Sequence, residues 1–380
     1  MPSLHIVSFN VPYPPDYGGV IDVFYRIEAL ARMGVHVHLH TFTYGRPPAA
    51  ELEKLCESVT YYPRHNDFWH FLSRRPYIVN SRSDNKLIAD LNRDNFPILL
   101  EGLHCCWVLE TLNNHNSQTL KQSGRLVFVR AHNVEHDYYN RLADAEHNPL
   151  RRYYLRTDAR RLKRYEPILR MASGIFAVTE ADASHFAQIG CSNVRLMPSS
   201  HADSHVVSKT GLGHYALYHA DLSVAENIQA VDYLIRNIFA SSPHKLVVAG
   251  RNPHKSIVHL VDNYANVSLV ANPDDDTMQR LIADAQVNIM VTNQPTGLKL
   301  KLLNSLYAGR HCLVNSNMVA GTQLDSVCTV ADTQSTQIEA LDRLMSLPFT
   351  QQDIASRVSL LGNLYNNDAN AKILLDCLNA

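Results

Sequence analysis

The sequence predicts an α/β protein of two Rossmann-like, doubly wound domains facing a central cleft, and three observations carry that prediction. Short apolar runs alternate with amphipathic segments through nearly the whole chain, which is the pattern of parallel strands joined by crossover helices. At 380 residues the chain is too long for one ordinary core and suggests domains of roughly 150 to 200 residues each. A polar stretch at 199–205, followed by Lys209-Thr210-Gly211-Leu212-Gly213, has linker composition and divides the alternation into two repeats, 1–205 and 206–363.

The elements follow in order. A strand at 5–9, a helix at 20–33 with Gly34 in the C-cap role and a strand at 35–42 make a βαβ unit. Further strands are expected at 59–62, 98–101, 126–130, 175–178 and 194–197 in the first half, and at 215–219, 246–250, 267–271, 287–291, 312–315 and 327–331 in the second. Ligands of such sheets bind outside the carboxyl ends of the strands, so the chemistry is sought in the loops there.

Composition limits the function classes. The chain is 46% hydrophobic, as a globular protein is, and its formal net charge of -1 gives no global electrostatic case for nucleic acid. No basic and apolar leader opens the chain and no window approaches 18 uninterrupted apolar residues, so a cytoplasmic protein is expected. Seven cysteines without a C-x-x-C pair read as reduced, mostly buried thiols.

Three loops carry chemical signals. The apolar run at 288–293 breaks at Gln294-Pro295-Thr296-Gly297 and opens a helix at Leu298-Lys299-Leu300-Lys301. Two lysines in a first turn oppose the helix dipole, so an anion is expected there: backbone amides form a cradle, Gly297 permits close approach, and a phosphate or diphosphate fits. Between the first strand and helix lies Pro14-Pro15-Asp16-Tyr17-Gly18-Gly19, whose glycine pair suits either close approach of a ligand or a plain tight turn. After the strand at 126–130 comes Ala131-His132-Asn133-Val134-Glu135-His136, where His132 can donate to a sugar hydroxyl or phosphate oxygen and Asn133 can cap the following helix.

These loops, together with Ala220-Asp221-Leu222-Ser223-Val224-Ala225-Glu226-Asn227 and Val248-Ala249-Gly250-Arg251-Asn252-Pro253, resemble those of the GT-B glycosyltransferases, specifically the retaining family 4 that uses nucleotide-sugar donors. The resemblance covers nearly all of the chain. It implies a cleft in which Gly19 meets the donor diphosphate, His132 contacts the transferred sugar, and the Gly297 loop with Lys299 and Lys301 holds diphosphate and sugar. It also implies that a final helix, about 364–380, packs back on the first domain.

The expected catalytic groups are therefore His132, Lys299 and Lys301. Donor binding is expected at Gly18, Gly19, Asn133, Glu135, Arg251, Gln294, Thr296, Gly297, Leu298 and Asn304, with no metal and no cofactor beyond a UDP- or GDP-linked sugar as substrate. Family members usually carry two glutamates with seven residues between them; here Thr296 and Asn304 hold those places, with Gln294 close by, and amides and hydroxyls supply no charge. The resemblance implies retaining transfer of a hexose to a glycan or lipid-linked acceptor, with negative charge growing on the departing diphosphate. A nucleotide-sugar epimerase and a non-catalytic binding or partner subunit of the same fold are the alternatives.

Three further features call for a reading. His36, His38 and His40 share one strand face, which fits structural use better than zinc. Asp274-Asp275-Asp276 precedes a helical run and reads as a cap rather than a metal motif. The segment 151–170 carries eight basic residues against Asp158 and Glu166, and reads either as a solvated helix packed on the first domain or as a basic amphipathic helix resting on an anionic membrane.

Overall fold

The computed structural model describes residues 2–66, 73–115, 124–146, 148–293 and 299–378. The chain forms two compact units, one made of the residues through Ala202 and those from Tyr365 onward, the other of Asp203–Leu364. Each is built on one parallel sheet.

The first sheet holds β1 Ser3–Ser8, β2 His36–Thr43, β3 Ser58–Pro63, β4 Ile98–Glu101, β5 Val127–Ala131, β6 Gly174–Ala177 and β7 Val194–Leu196, in the order β3-β2-β1-β4-β5-β6-β7. Ile6 of β1 stands opposite Leu39 and Leu99, and β4, β5 and β6 are buried along their full length, as strands covered by helices on both faces must be. The second sheet holds β8 Ala216–Asp221, β9 Leu246–Arg251, β10 Val267–Ala271, β11 Val287–Met290, β12 His311–Val314 and β13 Thr329–Val330, in the order β10-β9-β8-β11-β12-β13. In both sheets the chain works outward from one central strand, then crosses over and works outward the other way. That reversal lies between β1 and β4 in the first sheet and between β8 and β11 in the second, and it leaves a crevice at their carboxyl ends.

Every strand expected from the sequence has a counterpart, with ends shifted by a residue or two. At β13 the start moves because Leu324–Val327 closes into a 3-10 turn that takes Val327 out of the strand. The later part of the segment read as linker is held to the second unit: Gly211 pairs antiparallel with Phe349 through bonds of 2.8 and 3.0 Å, and the Gly213 amide donates to Gln286 at 2.6 Å. The helix Asn367–Leu378 lies in the first unit, where Ala371 and Leu374 join the core and Asp368 pairs with Arg32 at 2.6 Å.

Glycine is required where backbones crowd. A Cβ on Gly250, in β9, would stand 1.8 Å from the Ala220 carbonyl oxygen of β8. The seven cysteines are free thiols; Cys56, Cys105, Cys106 and Cys312 are buried and the other three partly so.

The other sequence features resolve as local structure. Asp274 caps the helix Asp275–Asp284, accepting from the Thr277 amide at 2.8 Å. Of the three histidines of β2 only His40 is buried. His36 is exposed beside Glu57, His38 meets Ser58, and the buried His40 bonds both His5 and Tyr62. The basic segment divides into an α-helix, Pro149–Tyr165, and a 3-10 turn, Glu166–Met171. Asp158, Ala159 and Leu162 form the buried face of that helix, while Leu150 and Tyr153 are 81% and 71% exposed.

Candidate functional site

Two groups of side chains gather at the carboxyl ends of the strands, one in each unit. In the first unit Asp22, on the helix Gly18–Arg32, lies buried at the switch point. Its carboxylate takes Arg26 at 2.5 Å, Arg130 Nε at 3.0 Å and the Ser200 amide at 2.7 Å. Glu101, which ends β4, is wholly buried and lies 3.4 Å from Arg26. His132 stands between these acids, with Nδ1 3.2 Å from Asp22 Oδ2 and Nε2 3.0 Å from Glu101 Oε2.

A neutral imidazole has one N–H, so two carboxylate partners call for the imidazolium. Burial opposes that charge, yet the bonds to Asp22 and Glu101 outweigh it and raise the His132 pKa. Asp22 likewise is buried, but Arg130 and Arg26 hold its carboxyl well below the usual range. With both ring nitrogens engaged, His132 meets a sugar hydroxyl in this arrangement only by giving up a carboxylate. The expected sugar-contacting histidine is here part of a buried ionic network.

The neighbouring expected residues vary in setting. Gly18 opens the first helix on the surface, and a Cβ on Gly19 would stand 2.6 Å from the Phe9 ring. Val134, not Asn133, is the N-cap of the helix Glu135–Ala145 and makes no side-chain cap bond, so the capping alternative for Asn133 is not realised. Glu135 is buried in the first turn of that helix, and burial pushes its carboxyl up to about 7.

In the second unit the helix Leu300–Ala308 starts near the carboxyl ends of β8 and β11, with Lys299 as its N-cap and Lys301 as its second residue. The Lys301 ammonium lies 5.1 Å over the Tyr218 ring and 3.4 Å from Asn227 Oδ1. Burial lowers its pKa to about 8, against the opposing pull of Glu226. Glu226 itself accepts from the Thr292 hydroxyl and, at 3.2 Å, from the Asn293 amide. It also borders a pocket of about 380 Å³ that reaches Tyr233, Asn315 and Asp332. Asn304 lies about one turn further along the same helix, partly buried. Arg251 is an exposed cation at the end of β9, 3.7 Å from Asp275. Gln294, Thr296, Gly297 and Leu298 lie outside the described residues.

Among the described residues two clusters have ligand atoms close enough for a metal ion. One is Asp22, Glu101 and His132, already occupied by two guanidiniums; the other is His136, Glu166 and His185. In the second, Glu166 accepts from the two imidazoles at 3.2 and 2.9 Å. Neither includes the histidines of β2.

Comparison with known proteins supplies the frame for these two edges. Sucrose-phosphate synthase from Thermosynechococcus elongatus superposes with a TM-score of 0.70 at 16% identity, over 99% of this chain and 98% of that one. TarM from S. aureus, crystallised with fondaparinux, alpha-GlcNAc-glycerol and UDP, gives 0.65 at 10% identity over the whole of both chains. HepE from Anabaena, in complex with UDP and glucose, gives 0.62 at 10% identity over 99% of both. The chain has the GT-B glycosyltransferase fold. By sequence it is 24% identical, over 330 residues, to an uncharacterized 44.6 kDa protein in the cps region of Klebsiella pneumoniae, covering 80% of this chain and 81% of that protein. No family model matches the chain. Within the GT-B fold, the two groups described above stand at the carboxyl ends of the two sheets.

Several residues of these groups carry no motif that singles them out. Asp22 and Arg26 have the i, i+4 spacing of any surface helix pair, and only the structure shows both of them buried. A signal existed for Glu101 and Arg130: an ionisable residue that ends or interrupts a fully apolar parallel strand needs a partner. Glu226 lies in a segment whose resemblance was noted, but its bonds to Thr292 and Asn293 depend on how β11 meets the following loop.

Proposed function

We propose that the protein is a glycosyltransferase that moves a hexose from a nucleotide-diphosphate sugar to a glycan or lipid-linked acceptor, with retention, after the manner of family 4. The second unit takes the UDP- or GDP-linked donor and the first unit takes the acceptor. Lys301 carries this reading. It stands at the opening of a helix beside the switch point of the second sheet, and among the described residues it has no ion pair. With a pKa of about 8 it remains largely charged at neutral pH. An ammonium so placed interacts more strongly with a leaving diphosphate as its negative charge grows, which stabilises the transition state more than the ground state. Lys299, the amides of the helix start and the exposed Arg251 add to that field. The leaving phosphate accepts the acceptor's proton, so no protein nucleophile and no metal is required.

Supporting this reading, two proteins that share the fold were crystallised with UDP, and the Klebsiella relative belongs to a polysaccharide-related region. Asn304, where the family usually has a second glutamate, favours a second reading, a nucleotide-sugar-binding subunit without turnover. A thermal-shift screen of uridine, guanosine, adenosine and thymidine diphosphates and their sugars tests both. Stabilisation by one diphosphate and not by its nucleoside, followed by release of that diphosphate only when acceptor is present, supports the transferase. Binding with neither release nor a new product supports the subunit, an epimeric nucleotide sugar formed without acceptor points to an epimerase, and no stabilisation by any diphosphate rejects the whole reading.

The helix Pro149–Tyr165 we assign to peripheral contact with an anionic membrane surface. Leu150 and Tyr153 project among Arg151 and Arg152, a pairing of apolar and basic groups suited to an interfacial helix. No helix among the described residues is long and apolar enough to cross a membrane. Salt-sensitive sedimentation with anionic vesicles is expected, and its absence would remove this assignment.

A further inference from the structure

The carboxyl edge of the first sheet holds cationic charge that its own carboxylates do not balance. Arg82 is fixed at the exit of β1, donating from Nε to the Phe9 carbonyl at 2.7 Å and from Nη1 to the Ile78 carbonyl at 2.6 Å. Arg64, just past β3, reaches the same turn: its Nε donates to Ser81 at 3.1 Å, and its guanidinium lies 4.1 Å over Tyr44 and 5.3 Å over Tyr77. Among the described residues neither guanidinium has a carboxylate within ion-pair distance. Burial, and then the charge of Arg64, lower the Arg82 pKa to about 10, as expected of like charges held close together.

Two imidazoles complete the group. The His104 ring packs 5.1 Å from Phe9, and its buried Nδ1 has no hydrogen-bond partner. The ring of Phe9 also receives the edge of His132 at 5.6 Å. Arg64 and Arg82 thus share the turn after Tyr77, while Arg82, His104 and His132 share Phe9. A buried polar atom without a partner, beside two guanidiniums without counter-ions, is costly unless something anionic completes the set.

We propose that this edge binds a phosphate group carried by the acceptor. The inference rests on the reading that the first unit takes the acceptor, and it narrows the acceptor's class. Phosphate matches paired guanidiniums in charge and in planar hydrogen-bond geometry, and the Nδ1–H tautomer of His104 offers a further donor. A neutral sugar hydroxyl would leave both cations uncompensated. The phosphate has two chemical sources, a soluble sugar phosphate or the diphosphate of a lipid carrier.

Calorimetric titration of the full chain tests the assignment with glucose, glucose 6-phosphate and farnesyl diphosphate, each with and without the nucleoside diphosphate that stabilises the protein. At least one phosphate probe is expected to bind far more tightly than glucose, and the tighter of the two identifies the source. Arg64→Gln, a partly exposed side chain, should weaken that probe about tenfold, the loss of one charge-assisted hydrogen bond, while leaving nucleoside diphosphate affinity unchanged. Arg82→Gln, with its thermal unfolding followed alongside, should weaken it at least as much. Phosphate binding equal in the wild type and Arg64→Gln, or no tighter than glucose, would overturn the proposal. Failure of the wild type to bind any nucleoside diphosphate counts instead against the transferase reading, since the phosphate arms without nucleotide report on the first unit alone.

Discussion

The two switch points occupy the same place in two sheets of like order, yet they are furnished in opposite ways. At the first, Asp22, Glu101, Arg26, Arg130 and His132 pair with one another in a buried ionic network, with Glu101 Oε1, Arg26 Nε and Arg130 Nη2 left without a hydrogen bond among the described residues. At the second, Lys301 meets, among the described residues, an amide oxygen and an aromatic face, and Glu226, whose charge it feels, spends its hydrogen bonds on Thr292 and Asn293. A buried ionic network is poor in net stability but severe on alternatives, since removing one member strands the rest. The first edge is therefore built to hold a shape. The second leaves a cation for a ligand to neutralise.

Breaking the first edge should have the largest effect. His132→Gln leaves two buried carboxylates with one hydrogen-bond donor group that carries no charge, and the expected loss of stability near pH 6 is about 3–5 kcal/mol by denaturant unfolding. The raised pKa of His132 fixes the sign of the pH dependence. Its contribution is complete below the unfolded value near 6.5 and is lost as pH rises through the higher folded value, so the gap between the two proteins should close in alkali. A gap that widens with pH would show that His132 is neutral.

Glu135 shares that sign, but as a penalty that appears with rising pH rather than a gain that is lost. Its folded pKa of about 7 lies above the ordinary carboxyl range, so the folded state keeps a proton that the unfolded chain releases, and wild-type stability falls as pH rises from about 4.5 to 7. Glu135→Gln cannot ionise. The two proteins should be nearly equal at pH 4.5, with the variant ahead by about 2–3 kcal/mol at pH 8. Parallel stability curves would show that Glu135 is ionised, and hence solvated or paired, in solution.

The contrast between the edges also explains what the sequence disclosed. Strands at 98–101 and 175–178 are plain in it because a buried parallel strand must be a largely apolar run, a purely local property. The first-turn position of Lys301 was legible for a similar reason, since the break before 300 and the apolar run after it are local too. The role of His132 was not. A histidine at a strand's carboxyl end faces the crevice in either case, and only the meeting of Glu101 from β4 with Asp22 from the first helix, far apart in sequence, takes up its two nitrogens. Arg64, Arg82 and His104 were hidden likewise, because what marks them is that, among the described residues, no carboxylate comes within ion-pair distance of the two guanidiniums.

The second edge should respond in binding rather than in stability. Lys301→Ala is expected to weaken nucleoside diphosphate binding about tenfold or more and to leave nucleoside binding unchanged, as measured by calorimetry. In the wild type, diphosphate affinity should fall as pH rises through about 8, where the free protein loses the ammonium proton, and the variant should lack that fall. Equal losses for nucleoside and diphosphate would place Lys301 away from the phosphates.

Arg251 gives the smallest effect and the finest discrimination. Its guanidinium is about half exposed and lies 3.7 Å from Asp275, itself almost fully exposed, so water and salt screen whatever charge it offers. Arg251→Ala should therefore change stability by less than about 0.5 kcal/mol and diphosphate affinity by only about two- to threefold, with the difference vanishing at high salt. An effect as large as that of Lys301→Ala and insensitive to salt would mean that Arg251 closes onto the bound donor. The leaving charge would then be met from β9 as well as from the helix Leu300–Ala308, and the second edge would be assembled by its ligand rather than waiting for it.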